Sequence, residues 1–390
     1  MPSGWRERHF GELTENFDNV RVPVKEADRR AGPYPYYGAS GVVDSVDGYL
    51  FDGEYLLIAE DGENLRTRTT PVAFLANGKF WVNNHAHIVR ANGEADTRFL
   101  MYALGQTDIS GYLTGSTMPK LTQGNMDRIP ILAPPRGEQR AVARVLGALD
   151  DKIELNRKMS ETLEQMARAI FKSWFVDFKP FRSEGMVDTP LGEIPTRWKV
   201  GTVADACSLV HDAITPLDTP NEEFAHFSIP AYDAGKEPAS ERGSEIKSNK
   251  NLVPAGCVLL SKLNPRFPRV WYVDMPTNKR AIASTEFLVA IPVAAENREY
   301  LYGLLTSRSF MTDFERMVTG TSSSHQRVPA ESLLSLACVV PDGTAIRAYG
   351  RITRPMLAQV QQNTRQSRTL AAIRDALLPK LMSGKVRVAA

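Results

Sequence analysis

Along residues 138–175 the apolar side chains Val142, Val145, Leu149, Ile153, Leu163, Met166 and Ile170 recur at three- and four-residue steps, the period of an amphipathic helix. A second stripe, Met356, Val360, Leu370, Ile373 and Leu377, follows Pro355 and ends at Pro379 and Gly384. Proline fits the first turn of a helix and not its middle, so the second helix is predicted to begin there. Aligned with it, the first long helix is expected to start near Gly147, after a shorter helix, which gives each about 26 residues, or roughly 40 Å. Such a stripe does not stay in water, and its simplest partner is the stripe of the other helix, packed antiparallel as a coiled-coil pair. Elsewhere the chain carries short β-type runs broken by Gly, Pro and Asn: 54–59 (EYLLIA), 80–89 (FWVNNHAHIV), 256–260 (GCVLL) and 270–273 (VWYV).

The pattern is written twice. Thr114-Gly115 is matched by Thr319-Gly320 at an offset of 205, and Pro134, Asn156 and Leu163 by Pro341, Asn363 and Leu370 at 207. A period near 200 residues implies two copies of a whole domain and its connector, not a solenoid. The predicted fold class is α+β, with two mixed domains in pseudo-two-fold tandem joined by two long helices. The expected boundaries are 1–133 for the first domain, 134–196 for a helical connector, 197–341 for the second domain and 342–390 for a second helix and tail. Asn156 and Asn363 fall at equivalent points of the stripes. Each reads either as an exposed residue at the stripe's edge or as a polar residue that fixes helix register at a cost in stability.

Charge alters this picture only locally. The chain has 390 residues and a formal charge of +2, divided over the four segments as −4, 0, −1 and +7. The globular domains are not basic, so nucleic-acid binding would have to rest on local patches. Three widely separated cysteines give neither a disulfide framework nor a CxxC metal site. No apolar run approaches the ~20 residues of a membrane span, and the N-terminus lacks a signal-peptide core. A cytoplasmic protein without a membrane partner is expected.

Three stretches carry a resemblance: PPRGEQRAVARVLGALDDKIELNRKMSETLEQMARAIFKSWFVDF (134–178), LGEIPTRWKVGTVADAC (191–207) and LLPKLMSGKVRV (377–388). They resemble, in order, the central conserved region, the entry into the second target-recognition domain and the C-terminal conserved region of type I restriction–modification specificity subunits. The resemblance covers the whole chain. It departs from the pattern at 339–352, where VVPDGTAIRAYGRI has lost the Gly-Glu-Gln of the first copy.

The resemblance implies a subunit that reads double-stranded DNA and performs no chemistry itself. Two methyltransferase subunits and the restriction subunits assemble around it. S-adenosylmethionine, ATP and Mg belong to those partners, and this chain is expected to bind no cofactor. The implied target is bipartite, and because 80–89 and 281–291 differ at nearly every position, its halves are expected to differ. A pseudo-symmetric protein suits two half-sites about one helical turn apart, with the helix pair as a ruler.

Base readout needs forked donors and acceptors, and phosphate contacts need cations, hydroxyls and loop amides. In the first domain the candidates are Arg66, Arg68, Asn83, Asn84, His85, His87, Ser116, Thr117 and Lys120. In the second they are Lys262, Asn264, Arg266, Arg269, Ser323, His325, Gln326 and Arg327. The loops after the two Thr-Gly pairs occupy corresponding places and are the favoured contact elements; the alternative is that they are solvated surface. For the partner subunits the candidates are Arg157, Lys158, Trp174 and Phe175, the aromatic pair reading equally as domain core.

Catalytic readings are weaker. His85 and His87 lack a third ligand at metal spacing, so no metal site is expected. Asn264-Pro265-Arg266-Phe267 imitates the base-holding loop of adenine methyltransferases, but no glycine-rich cofactor loop accompanies it. Asp233 with Glu245-Ile246-Lys247 loosely imitates a nuclease site, and no GxxxxGK[ST] is present. The alternative function, an autonomous nuclease or methyltransferase, therefore has little behind it, and no catalytic residue is assigned.

Overall fold

The structure, a computed structural model, describes residues 2–273, 275, 278–319 and 326–389. Its two longest elements are helices of 40 residues each, Arg136–Phe175 and Gly343–Met382, about 60 Å long at 1.5 Å per residue. The first starts where the Pro135 carbonyl accepts from the N–H groups of Glu138 and Gln139 at 2.9 and 3.1 Å. Asp342 opens the second, its carboxylate accepting from the N–H groups of Thr344 and Ala345 at 2.8 and 2.9 Å, a helix N-cap. They end near Phe178 and Gly384, both in the left-handed region at φ +54° and +68°.

The helices are thus longer than the sequence predicts. There is no break before Gly147, and Pro355 lies inside the second helix rather than in its first turn. A proline interior to a helix loses one hydrogen bond and strains the turn before it. Here that turn is anchored on both sides, by Thr353, wholly buried, and Leu357, 3% exposed, so packing overrides local propensity.

The chain divides into two compact units, residues 1–154 with 368–390, and residues 155–367. In the first, an antiparallel sheet runs in the order Thr14–Asn16, Ala86–Ala91, Tyr55–Ala59, Ala73–Ala76. In the second, the order is Cys207–Val210, Phe287–Pro292, Val258–Ser261, Val270–Tyr272. Registers correspond as well: Ile58 faces His87 as Leu260 faces Leu288. In another sheet Lys79–Val82 runs parallel to Ala31–Gly38, as Arg280–Ser284 runs parallel to Glu223–Phe227. A two-stranded pair accompanies each unit, Arg6–His9 with Pro130–Ala133 and Lys199–Thr202 with Ala337–Val340. The two units share one topology. The run 80–89, read as a single strand, is two: it turns at Asn83–His85, where Asn83 Oδ1 accepts from the His85 N–H at 2.8 Å.

Each unit has its own core. In the first, Phe10, Leu56, Ile58, Phe99, Leu100 and Leu146 pack with Leu381. In the second, Phe171, Phe175, Tyr300, Leu301, Phe314 and Tyr349 form the centre. Gly303 permits the close approach there, since a Cβ on it would stand 2.3 Å from the Phe171 ring.

The two long helices pack together antiparallel, and contacts inside each unit give the register. In the first unit Arg374 donates to Asp150 at 2.8 Å; in the second the Tyr349 hydroxyl donates to the Ala167 carbonyl at 3.3 Å. The inward positions of the first helix include Val142, Leu146, Asn156 and Ala167, with half-buried Ser160 and Leu163 between. Val145, Met166 and Ile373, assigned to the stripes from sequence, are instead 36%, 45% and 43% exposed. The apparent stripe leapt from Ile153 to Leu163 because the seam positions between them hold polar residues.

Those residues bond across the pair. Asn156, 1% exposed, donates to Ser367 Oγ at 3.2 Å and Gln366 Oε1 at 2.9 Å. Asn363, 3% exposed, donates to Ser160 Oγ at 3.2 Å, while Gln359 donates to Asn363 Oδ1 at 2.8 Å. The Asn–Ser bond is made twice with the helices exchanged. Asn363→Leu is expected to destabilise the chain by about 1–3 kcal/mol, because it leaves Ser160, Gln359 and the Asn156 carbonyl without that partner, whereas Ser160→Ala added to Asn363→Leu recovers part of the loss. Urea unfolding of both variants checks this.

Candidate nucleic-acid interface

The two loops singled out in the sequence stand on the same backbone scaffold. In the first unit Thr114 and Lys120 exchange both main-chain hydrogen bonds at 2.8 and 2.7 Å, and the Thr114 hydroxyl donates to the Lys120 carbonyl at 3.1 Å. In the second, Thr319 and Arg327 do the same at 2.9 and 3.2 Å, and the Thr319 hydroxyl donates to the Arg327 carbonyl at 3.1 Å. The docking of each loop repeats too. Gly62 N–H donates to the Pro119 carbonyl and Leu121 N–H to the Glu60 carbonyl, as Asn264 N–H does to the Gln326 carbonyl and Val328 N–H to the Lys262 carbonyl. Gly62 and Asn264 both have positive φ, +115° and +48°, so the second copy tolerates a side chain in the left-handed region where asparagine is among the least strained.

Side chains diverge on this common base. Lys120 pairs with Glu60 at 3.1 Å. Arg327 holds Glu286 through three contacts of 2.9–3.2 Å. Main-chain bonds from Glu60 to His85 and from Lys262 to Glu286 show that these are equivalent positions. Glutamate in one copy is thus lysine in the other, and histidine is glutamate. Ser116 and Thr117 are exposed with Met118, the last 61% exposed, on the first loop. Ser323 and His325 of the second lie outside the described residues.

Several candidates hold structure rather than face outward. Arg68 donates to the carbonyls of Thr107, Leu104 and Gly105 at 2.8–3.2 Å, closing the end of the helix Thr97–Gln106. Arg66, exposed, reaches the Gly115 and Ser116 carbonyls at 3.3 and 3.5 Å and so braces the first loop. Arg269 makes a forked pair with Asp233 at 2.7 and 2.8 Å, and that guanidinium holds the Asp233 carboxyl below its usual range. Asn83 is 9% exposed and tied into its turn.

His87 is 2% exposed, which removes it from any direct contact with DNA. Its Nδ1 faces the Asp18 carboxylate at 2.5 Å and its Nε2 the Leu121 carbonyl at 2.7 Å. Burial alone pulls its pKa down, but Asp18, the Leu121 carbonyl and Glu60 together raise it above the usual histidine value. Burial likewise opposes the ionisation of Asp18 and Glu60, yet His87 and Arg21 hold both below the usual carboxylate range.

Open candidates remain. Asn84 and His85 are exposed, with His85 Nδ1 2.8 Å from Asp61. Arg266 is exposed beside Phe267, its guanidinium 4.9 Å from the ring centre, and Lys262 is half-buried. Sequence reasoning missed Glu60, Glu286, Asp18 and Arg21, the partners that fix the loop bases. Lys120 and Arg327 share the 207-residue offset of Pro134 and Pro341, a signal that could have paired them.

Among the partner-surface candidates, Phe175 is 6% exposed within the second core. Trp174, half-buried, sits edge-on to Phe181 at 5.8 Å against that core. Arg157 is exposed and paired with Glu161, and Lys158 is exposed. Among the described residues no group of three His, Cys, Asp or Glu could hold a metal ion, and no helix is long and apolar enough to cross a membrane. Burial pushes the Cys207 and Cys257 thiols up to about 12, so neither is a thiolate near neutrality.

Arg68→Ala leaves three helix-end carbonyls without their charged donor. It should cost about 1.5–3 kcal/mol in urea unfolding, so that any loss of DNA affinity in that variant reflects the fold.

Comparison with known proteins agrees with this geometry. Residues 2–165 match the type I restriction modification DNA specificity domain. A putative type I restriction enzyme specificity subunit of Haemophilus influenzae is 39% identical over 139 residues, a match spanning about a third (35%) of each chain. The MjaIX specificity subunit of Methanocaldococcus jannaschii is 25% identical over 100% of this chain and 95% of its own. The crystal structure of a type I S subunit from M. genitalium shares the fold, with a TM-score of 0.65 at 16% identity over 97% of this chain and 96% of that one. Two copies of one domain topology and two packed long helices give this chain the fold of a type I S subunit, and its residues 2–165 match the DNA specificity domain of that family.

Proposed function

We propose that this chain is the DNA-reading subunit of a type I restriction–modification complex, with residues 1–133 and 197–341 as target-recognition domains and 134–196 and 342–390 as the helical regions that partners grip. It performs recognition and no catalysis, and in this family S-adenosylmethionine, ATP and Mg reside on the methyltransferase and restriction subunits. One observation carries the reading: two loops on identical main-chain scaffolds present different side chains. A shared scaffold delivers each loop to the same kind of surface, and different side chains make the two readings unlike. The target is therefore bipartite, with dissimilar halves.

The partner surface follows from the duplication. Among the eight positions identical in both long helices at the 207-residue offset, the only charged ones are Arg140/Arg347 and Arg144/Arg351. All four arginines are exposed, and each pair is followed by an exposed aliphatic residue, Val145 at 36% or Ile352 at 40%. Among the described residues none of the four has an ion-pair partner. A surface kept twice with no ion-pair partner among the described residues suits a partner present in two copies, which is the methyltransferase subunit.

Methylome sequencing of cells with and without this gene should reveal an asymmetric bipartite motif that depends on it; a palindromic motif would overturn the reading. Exchange of residues 1–133 for the domain of a relative should alter one half of that motif and leave the other. Arg140→Glu with Arg144→Glu should reduce the methyltransferase copies per specificity subunit from two to one by native mass spectrometry, with the fold intact by circular dichroism.

A further inference from the structure

The two loop scaffolds match in their main chain but not in what secures them. In the first unit the segment leaving the loop is held by His87, whose Nε2 lies 2.7 Å from the Leu121 carbonyl and whose Nδ1 lies 2.5 Å from the Asp18 carboxylate. A carbonyl oxygen and a carboxylate can only accept. Both ring nitrogens must therefore donate, and the ring that makes both bonds is the imidazolium. Asp18 is itself fixed, its other oxygen accepting from the Ile88 N–H at 2.9 Å. At the corresponding position the second unit has no histidine: the residue facing Leu260, as His87 faces Ile58, is Leu288. Its loop base is secured by the Arg327–Glu286 pair, a guanidinium on a carboxylate with no imidazole between them.

We propose that His87 is a positioning residue for the loop Thr114–Lys120, and that its protonation makes the reading of one half-site, the first unit's, dependent on pH while the other is not. The inference rests on the proposed function, since it concerns how that DNA is read. Loss of the proton leaves a ring with one N–H for two acceptors. Either the Leu121 carbonyl or the Asp18 carboxylate then loses its donor inside the protein, where an unmatched group is costly. The segment that ends the loop sits directly on the Leu121 bond, and Lys120 is the residue before it.

The charged groups facing the ring set the direction of the change. Asp18 stands against Nδ1, Glu60 lies 3.9 Å away, and the Asp127 carboxyl is near enough to feel the ring's charge. Opposing them, Arg21 contacts Asp18 at 3.3 Å and Glu60 at 2.8 Å, and Lys120 contacts Glu60 at 3.1 Å. The carboxylates dominate and keep the proton on the ring above its ordinary range. The loop is thus fully held below about pH 6.5, the unperturbed histidine value, and released as pH rises through the higher value of the folded protein.

The test uses the assembled methyltransferase complex and duplexes carrying a base change in one half-site or the other, at constant ionic strength from pH 6 to 9. Discrimination at the half-site assigned to residues 1–133 by domain exchange should fall severalfold as pH rises, and discrimination at the other half-site should stay level. Asp18→Asn should move the fall to lower pH, and His87→Gln, which keeps a donor but cannot titrate, should flatten it. Equal pH profiles at the two half-sites, or a wild-type profile that neither variant alters, overturn the inference. A wild-type complex that discriminates at neither half-site at any pH overturns the functional reading as well.

Discussion

Two buried carboxamides and two hydroxyls constrain the helix pair more than any apolar contact does. Asn156 reaches Ser367 and Asn363 reaches Ser160, so each asparagine amide donates to the residue four positions beyond its counterpart. An apolar seam tolerates sliding, because leucine packs nearly as well one turn along. A seam holding two buried amides does not, since a slip leaves donors without acceptors at a cost of about 1–3 kcal/mol each. The register in which both asparagines find their serines is also the one that relates the helices by exchange, and the rest of the duplicated architecture is consistent with it.

That seam also explains where sequence reading succeeded and where it stopped. The duplication was visible, since matched Thr-Gly, Pro, Asn and Leu positions announced two copies of one unit, and the units do share a topology. The helices were recognised but shortened, because Pro355 carries a strong local stop signal that the packing of Thr353 and Leu357 overrules. The inward stripe was partly misassigned, since Val145 and Met166 are apolar yet exposed while Asn156 and Ser160 are polar and face inward. Periodicity weighs side chains by polarity and has no means of seeing a polar pair satisfied across an interface.

The loops proposed to read DNA were legible as places but not as mechanisms. Arg68, Arg269 and His87 belong to residue types that read nucleic acids, and all three are engaged by the protein itself. What distinguishes a reading arginine from a bracing one is the presence of an internal acceptor, such as the Thr107 carbonyl or Asp233. Those partners lie 39 and 36 residues away in the chain, at separations fixed by the fold and by no local pattern. Trp174 and Phe175 illustrate the same limit: bulky aromatics signal burial, and only the surrounding core decides against what.

The clamp between Thr114 and Lys120, repeated between Thr319 and Arg327, is built chiefly from amide and carbonyl groups that every residue except proline supplies. A hinge of this make is blind to the letters it encloses. The first loop spans seven positions and the second nine, and both close on the same bonds. Substitutions or short insertions between the clamp residues can therefore rewrite what is displayed without disturbing the fold beneath, so under the proposed function a lineage carrying this scaffold can change its preferred sequence in small, individually viable steps.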